Sequence, residues 1–160
     1  MKLNDSRSLA QSGLIAALYV VLTFLASAFG LASGAIQVRL SEMLCLLPCF
    51  TPAAIPGLFL GCILANIFTG AVVWDVVFGS LATLIGAVGT YLLRDNRWLA
   101  AFPPIIANVL IIPHVLAYAY GVETAVWLIA ITVGAGEFLS AGVFGEILYS
   151  SLDKHRDIFQ

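Results

Sequence analysis

The chain has 160 residues, of which 61% are hydrophobic and 10% charged, with a formal net charge of -2. A soluble domain carries about a quarter charged residues, so this composition excludes an ordinary water-soluble globule. Seven Lys and Arg spread over the chain are too few to form a field for nucleic acid.

Mean hydropathy is +1.04, and no Asp, Glu, Lys or Arg occurs from Ser8 to Val38, Met43 to Trp74, Val76 to Leu93 or Trp98 to Val122. Each interval is long enough for a membrane helix, which needs ~20 mostly apolar residues. Breakers divide the sequence into helices at about 9–29, 36–50, 53–70, 72–93, 99–119 and 123–151. Open sheet edges do not occur in lipid. The predicted fold is therefore an all-α integral membrane protein, one transmembrane domain over 1–160 built as a six-transmembrane-helix bundle.

The first helix follows "MKLNDSRS", which is polar, and its apolar run is too long for a signal-peptide core, so it is expected to remain as a span. It carries two overlapping pairs of small residues, Ser12 with Ala16 and Gly13 with Ala17, at the spacing that lets another helix approach closely. Alanine-rich helices also produce such pairs without a partner. The second helix is short, opens on "QVRLSE" and is closed by Pro48 and Pro52. Cys45, Cys49 and Cys62 lie in apolar segments with no companion His or Cys to complete a metal site, and are read as buried thiols. In the fifth helix Pro103 and Pro104 suit a first turn and Pro113 a kink.

Six spans place both termini on one side. Lys2, Arg7, Arg94, Arg97, Lys154 and Arg156 all fall on that face, which the positive-inside rule makes cytoplasmic. Arg39 alone lies at the other end, where a topology signal does not place a cation. It needs a partner or a ligand.

The same topology collects Gln37, Arg39, Glu42, Asn66, Asp75, His114, Tyr118, Glu123 and Trp127 in the outer half. A headgroup belt accounts for Trp74, Tyr120 and Glu123. Arg39 and Glu42, three residues apart, fit either a surface salt bridge or a ligand site. Glu137 is more demanding, because it lies ~21 Å into the last helix at 1.5 Å per residue, on a face shared with Gly134, Ala130 and Glu123. A carboxylate at that depth costs at least ~2.5 kcal/mol on insertion scales. The small-residue strip around it would admit a flat ligand; a protonated Glu tied to a neighbouring helix is the other reading. Asn108 serves equally as glue between helices or as a ligand contact, and His114 either as a ligand contact or as a partner for the carbonyl that Pro113 frees. Glu146 points away from Glu137. The sequence holds no phosphate-binding glycine and lysine loop and no hydrolase motif, so an enzyme is not expected.

The runs "RLSE" (39–42), "FTPAAIPGL" (50–58) and "DVVFGSLAT" (75–83) resemble the queuosine precursor transporter family, QueT, whose members are S components of energy-coupling factor (ECF) transporters. The likeness extends over most of the chain. It implies a multi-pass protein of the bacterial plasma membrane that captures a heterocyclic solute, a 7-deazaguanine precursor of queuosine, in a pocket open to the outside. It also implies partners: a transmembrane coupling protein and two cytoplasmic ATPases, which would use the ATP, leaving no cofactor in this chain. Coupling contact would fall on Ser12, Gly13, Ala16 and Ala17. Under this reading Glu137 reads the edge of the base, Arg39 or Asn66 its carbonyl, and Trp127 or Tyr118 its ring. Glu42 or Asp75 would meet a cationic aminomethyl group. The competing reading is an autonomous channel or proton-coupled carrier with Glu137 and His114 as the relay.

Overall fold

The computed structural model describes residues 6–31 and 37–155; Lys2, Arg156 and most of the expected 30–36 connection lie outside them. Within these residues every regular element is a helix. In chain order they are α1 (Ser6–Ala28), a 3-10 helix (Leu40–Cys49), α2 (Ala54–Phe68), α3 (Val73–Leu92), a four-residue α4 (Arg97–Ala100), α5 (Phe102–Ala119), α6 (Val126–Glu137), a π-helical segment (Phe138–Phe144) and α7 (Gly145–Asp153).

Four stretches are long and apolar enough to cross a membrane: Ser6–Ala28, Val73–Leu92, Arg97–Ala119 and Val126–Asp153. The remaining two apolar helices are shorter, at 10 and 15 residues. Against ~30 Å of hydrocarbon, fifteen α-helical residues reach only ~22 Å. The last stretch is continuous through α6, the π segment and α7. Pro103 and Pro104 do open α5, in its first turn, while Pro113 sits inside it.

The second predicted helix differs most from expectation. Gln37 to Arg39 are extended, and the helix that follows is wound as 3-10, with Pro48 near its end. Winding at three residues per turn aligns side chains three apart. This brings the Cys45 thiol to the Glu42 carboxylate, where Sγ donates to Oε2 at 2.9 Å.

Close backbone contact organises the rest. On α2, Gly57 and Gly61 face Ser12, Ile15, Ala16 and Tyr19 of α1, and a Cβ at Gly61 would lie 2.7 Å from the Tyr19 Cβ and 3.0 Å from the Ala16 Cα. Ser12 also donates its hydroxyl to the Ala53 carbonyl at 2.8 Å, tying α1 to the start of α2. The two small-residue pairs of α1 therefore part company. Ser12 and Ala16 are buried within the chain, whereas Gly13 and Ala17 are exposed, with open space around Gly13.

The described basic residues other than Arg39 lie at one end. There Arg97 pairs with Glu146 at 3.3 Å and packs over Trp98 and Tyr149, Tyr149 meets Phe50, and Thr51 donates to Gln11. The start of α1 and the end of α7 thus share that end of the bundle. Cys45 and Cys62 are buried in the core and Cys49 is partly exposed.

The α1–α2 contact generates a paired prediction. Gly61→Val overpacks it and should lower stability by ~1 to 3 kcal/mol, while Gly13→Val, which meets nothing, should leave the fold intact. Thermal unfolding of the two variants in detergent checks this, and equal melting temperatures would remove the close approach as a stabilising feature.

Candidate functional site

At the end opposite the basic cluster, α1, the extended Gln37–Arg39 segment, α2, α3 and the end of α5 enclose a cavity of about 460 Å³. Its wall includes Tyr19, Thr23, Ser27, Gln37, Arg39, Ser41, Asn66, Thr69, Asp75 and Tyr120. The size falls in the ordinary range for small-molecule sites, ~300 to 1,000 Å³.

Arg39 is the cation of this cavity, and it interacts electrostatically with Asp75, Glu137 and Glu42. It is held in place by backbone: extended φ and ψ of -94° and 95° precede the 3-10 helix, whose first turn closes with the Glu42 N–H on the Arg39 carbonyl at 2.9 Å. The segment lies against α6 at Gly136, so closely that a Cβ there would be 2.1 Å from the Gln37 carbonyl oxygen. The absence of a side chain at Gly136 is what lets Arg39 reach the cavity from this side. Arg39 and Glu42 make no direct ion pair.

Glu42 is fully buried and turned away from the cavity space. Tyr19 Oη donates to its Oε1 and the Cys45 thiol to its Oε2, so both oxygens are occupied by the chain itself. Tyr19 thereby separates Glu42 from the cavity that Tyr19 lines.

Asp75, in the first turn of α3, has divided partners. Its Oδ2 accepts from the Tyr120 hydroxyl at 3.0 Å, its backbone carbonyl accepts from Asn66 Nδ2 at 3.2 Å, and its Oδ1 is buried with no hydrogen bond. Gly79 one turn on makes room: a Cβ there would lie 3.1 Å from Asp75 Oδ1 and 3.2 Å from Asn66 Nδ2. An acceptor and a donor therefore sit side by side on the wall that Arg39 also lines. Burial, reinforced by the neighbouring Asp75 carboxylate, pushes the Tyr120 phenol above its ordinary pKa.

Glu137 is buried and Oε2 has no hydrogen-bond partner. It lies next to Asn108 and within electrostatic reach of Glu42 and Arg39, behind the cavity rather than on its wall. Asn108, also buried, donates to the Pro104 carbonyl at 3.1 Å, and its Oδ1 has no partner. On the strip beside Glu137 Val109 packs on Gly134, and on the adjoining face the Gln37 backbone packs on Gly136. The π segment begins immediately after Glu137; such segments recur at functional sites.

Of the residues singled out in the sequence, Arg39, Asn66 and Asp75 line the cavity, and Glu42, Glu137 and Asn108 lie behind it. His114 and Tyr118 are elsewhere. They stack on one another in an open apolar groove of about 570 Å³ on the outer face of α3 and α5, with Trp74 and Phe78. Trp127 is 67% exposed and lines neither space. Tyr19, which sequence reasoning passed over, and Tyr120, which it assigned to a headgroup belt, also line the cavity. Tyr19, Thr23 and Ser27 recur every fourth residue along α1, a polar stripe that was available as a signal; Tyr120, in a connection, offered no periodicity to read.

Comparison with known proteins places the chain in a family. The family model described as QueT transporter matches residues 9–154. A protein of Lactococcus lactis subsp. cremoris (strain MG1363) named Queuosine precursor transporter QueT is 28% identical over 169 residues, covering 99% of each chain. No solved structure matches. With the family match spanning nearly every helix described above, the chain belongs to the QueT transporter family, and is a multi-pass membrane transport protein rather than an enzyme.

Proposed function

We propose that this chain is the solute-binding S component of an ATP-driven ECF importer in a bacterial plasma membrane, and that it captures a 7-deazaguanine precursor of queuosine from outside. In this reading the helical stretches make six crossings, the basic end is cytoplasmic, and the cavity at the Arg39 end opens outward. The chain itself carries no cofactor. ATP is hydrolysed by two partner ATPases, and a transmembrane coupling protein meets α1, whose outward Gly13 and Ala17 remain free of intramolecular packing while Ser12 and Ala16 carry the α2 contact.

The observation that carries the solute reading is the cavity lined together by Arg39, Asn66 and Asp75. A deazaguanine presents a carbonyl next to N–H donors on a flat ring. Arg39 supplies donors to the carbonyl and Asp75 an acceptor to an N–H, with the Asn66 amide between them as either. Tyr19 and Tyr120 offer aromatic surface to the ring. Glu137 and Glu42 act through Arg39, holding its charge at the cavity, since a guanidinium in a low-dielectric site requires opposed carboxylates.

Titration of the purified full-length protein with a 7-deazaguanine tests this. Arg39→Met and Asp75→Asn should each weaken binding about tenfold or more, the scale of one lost charge-assisted contact. Glu137→Gln should weaken it as well, and unchanged affinity in that variant would take Glu137 out of the site. If the wild-type protein binds no 7-deazaguanine, the solute assignment fails.

A second reading, an autonomous proton-coupled carrier, draws on the unpartnered buried oxygen of Glu137. Uptake into cells separates the two. Uptake that stops when the partner ATPases are inactivated supports the importer component, whereas uptake that persists and follows a pH gradient supports the carrier.

A further inference from the structure

Two connections that contribute to the cavity wall meet at its rim. One joins α2 to α3 and supplies Thr69, Gly70 and Ala71; the other follows α5 and supplies Tyr120 and Val122. Each turns on a glycine in the left-handed region, Gly70 at φ 73° and Gly121 at φ 66°, and a Cβ at either would meet nothing within 4 Å. These are backbone positions built to turn without being packed in place.

Each connection is otherwise bonded to its own helix end. The Thr69 hydroxyl donates to the Ala65 and Asn66 carbonyls, the Gly70 N–H to Ile67, and the Ala71 N–H to Asn66. On the other side the Val122 N–H donates to Leu116. The tie across the rim is Tyr120. Its hydroxyl donates to Asp75 Oδ2 at 3.0 Å and accepts from the Val72 N–H at 3.4 Å, spending its donor and an acceptor on the α3 side. Tyr120 is 43% exposed, so the tie sits at the surface, where water can replace both bonds when it breaks.

Asp75 links this tie to the interior. The carboxylate that holds Tyr120 with one oxygen keeps the other buried and unbonded beside Asn66. A donor arriving in the cavity would compete with the tyrosine for the same group.

We propose that Tyr120 is the clasp of the cavity: its hydroxyl holds the two glycine-turned connections together through Asp75 and Val72, and solute is admitted when Asp75 passes from Tyr120 to an N–H donor of the solute. Tyr120 is thus a positioning residue for Asp75 and sets the rate of exchange more than the affinity. The proposal rests on the cavity being the solute site, so its primary test uses no solute.

Ser41 lines the cavity and is 1% exposed, which makes Ser41→Cys a near-isosteric reporter inside it. In full-length protein carrying that substitution and Cys49→Ser, modification by a small cationic methanethiosulfonate is followed by mass spectrometry at position 41. Adding Tyr120→Phe, which removes both bonds of the clasp, should accelerate modification at least about fivefold, the shift in an opening equilibrium that the loss of even one ordinary hydrogen bond gives, with the melting temperature unchanged. Tyr91→Phe, which removes a hydroxyl at the opposite end, should leave the rate as it was. An unchanged rate in Tyr120→Phe, or equal acceleration by Tyr91→Phe, overturns the clasp. In a second measurement, Tyr120→Phe should raise both association and dissociation rates of a bound 7-deazaguanine with a smaller change in Kd. A wild-type protein that binds none would sink the solute assignment while the labelling result still decides the clasp.

Discussion

A guanidinium brought into an apolar bundle must be balanced by opposed charge, and the cavity end of this protein is arranged around that requirement. Arg39 enters on an extended segment and lies within electrostatic reach of three acids on different elements: Asp75 on α3, Glu42 on the 3-10 helix and Glu137 at the end of α6. Each acid then needs its own neighbours. Glu42 is satisfied by Tyr19 and Cys45, Asp75 by Tyr120 on one oxygen, and Glu137 lies against Asn108. Residues from every long helix are thereby drawn into one polar network, at the end where the chain carries no other basic residue among those described. Polar groups in a low-dielectric interior are costly when partly satisfied. Three of the buried oxygens left without a hydrogen bond, on Asp75, Asn108 and Glu137, belong to this network or adjoin it, and the other two are those of Glu146 beside Arg97 at the basic end.

What lets so many polar groups converge is the removal of side chains elsewhere. Lipid gives no hydrophobic drive for helices to associate, so contact depends on close packing. Gly57 and Gly61 bring α2 onto α1, Gly86 and Gly89 admit Pro104 and Pro103 of α5 against α3, and Gly136 admits the Gln37 backbone against α6. The last of these matters most for the site. With any side chain at 136, the segment bearing Arg39 would be displaced and the cation would leave its acids. The 3-10 winding that follows does complementary work, because residues three apart then share an edge and Cys45 can serve Glu42.

The helices were largely legible in advance, each boundary falling within a few residues of a Pro, Gly or charged breaker. The helix beginning near Gln37 was the exception: its length and its apolar content looked α-helical, and no local signal distinguishes a 3-10 winding from an α-helix of ten residues. The site was legible in part. Arg39 and Asp75 stood out as charges set between charge-free intervals and Asn66 as a polar residue within one, and they do line one cavity. His114 and Tyr118 stood out for the same reason and share its depth, yet face outward from α5. Depth along a helix follows from counting residues, whereas the direction a side chain faces depends on which neighbours the helix packs against. Glu137 shows the same limit: the small residues beside it suggested room for a flat ligand, but that room is taken by Val109 and the Gln37 backbone.

By itself the sequence determined that this is an apolar helical protein, where most of its helices begin and end, and that one arginine stands apart from the other cations. Those properties are local, set by runs of hydrophobicity, by breakers and by charge. Only the tertiary structure decided that Arg39 lies within electrostatic reach of three acids rather than pairing with Glu42, that Ser12 and Ala16 are spent on α2 while Gly13 and Ala17 remain outward, and that Tyr120 closes onto Asp75. These are contacts between residues up to 99 positions apart, as between Gln37 and Gly136. They exist because helix rotation and close backbone approach bring particular faces together, and no periodicity along one chain segment encodes which face that will be.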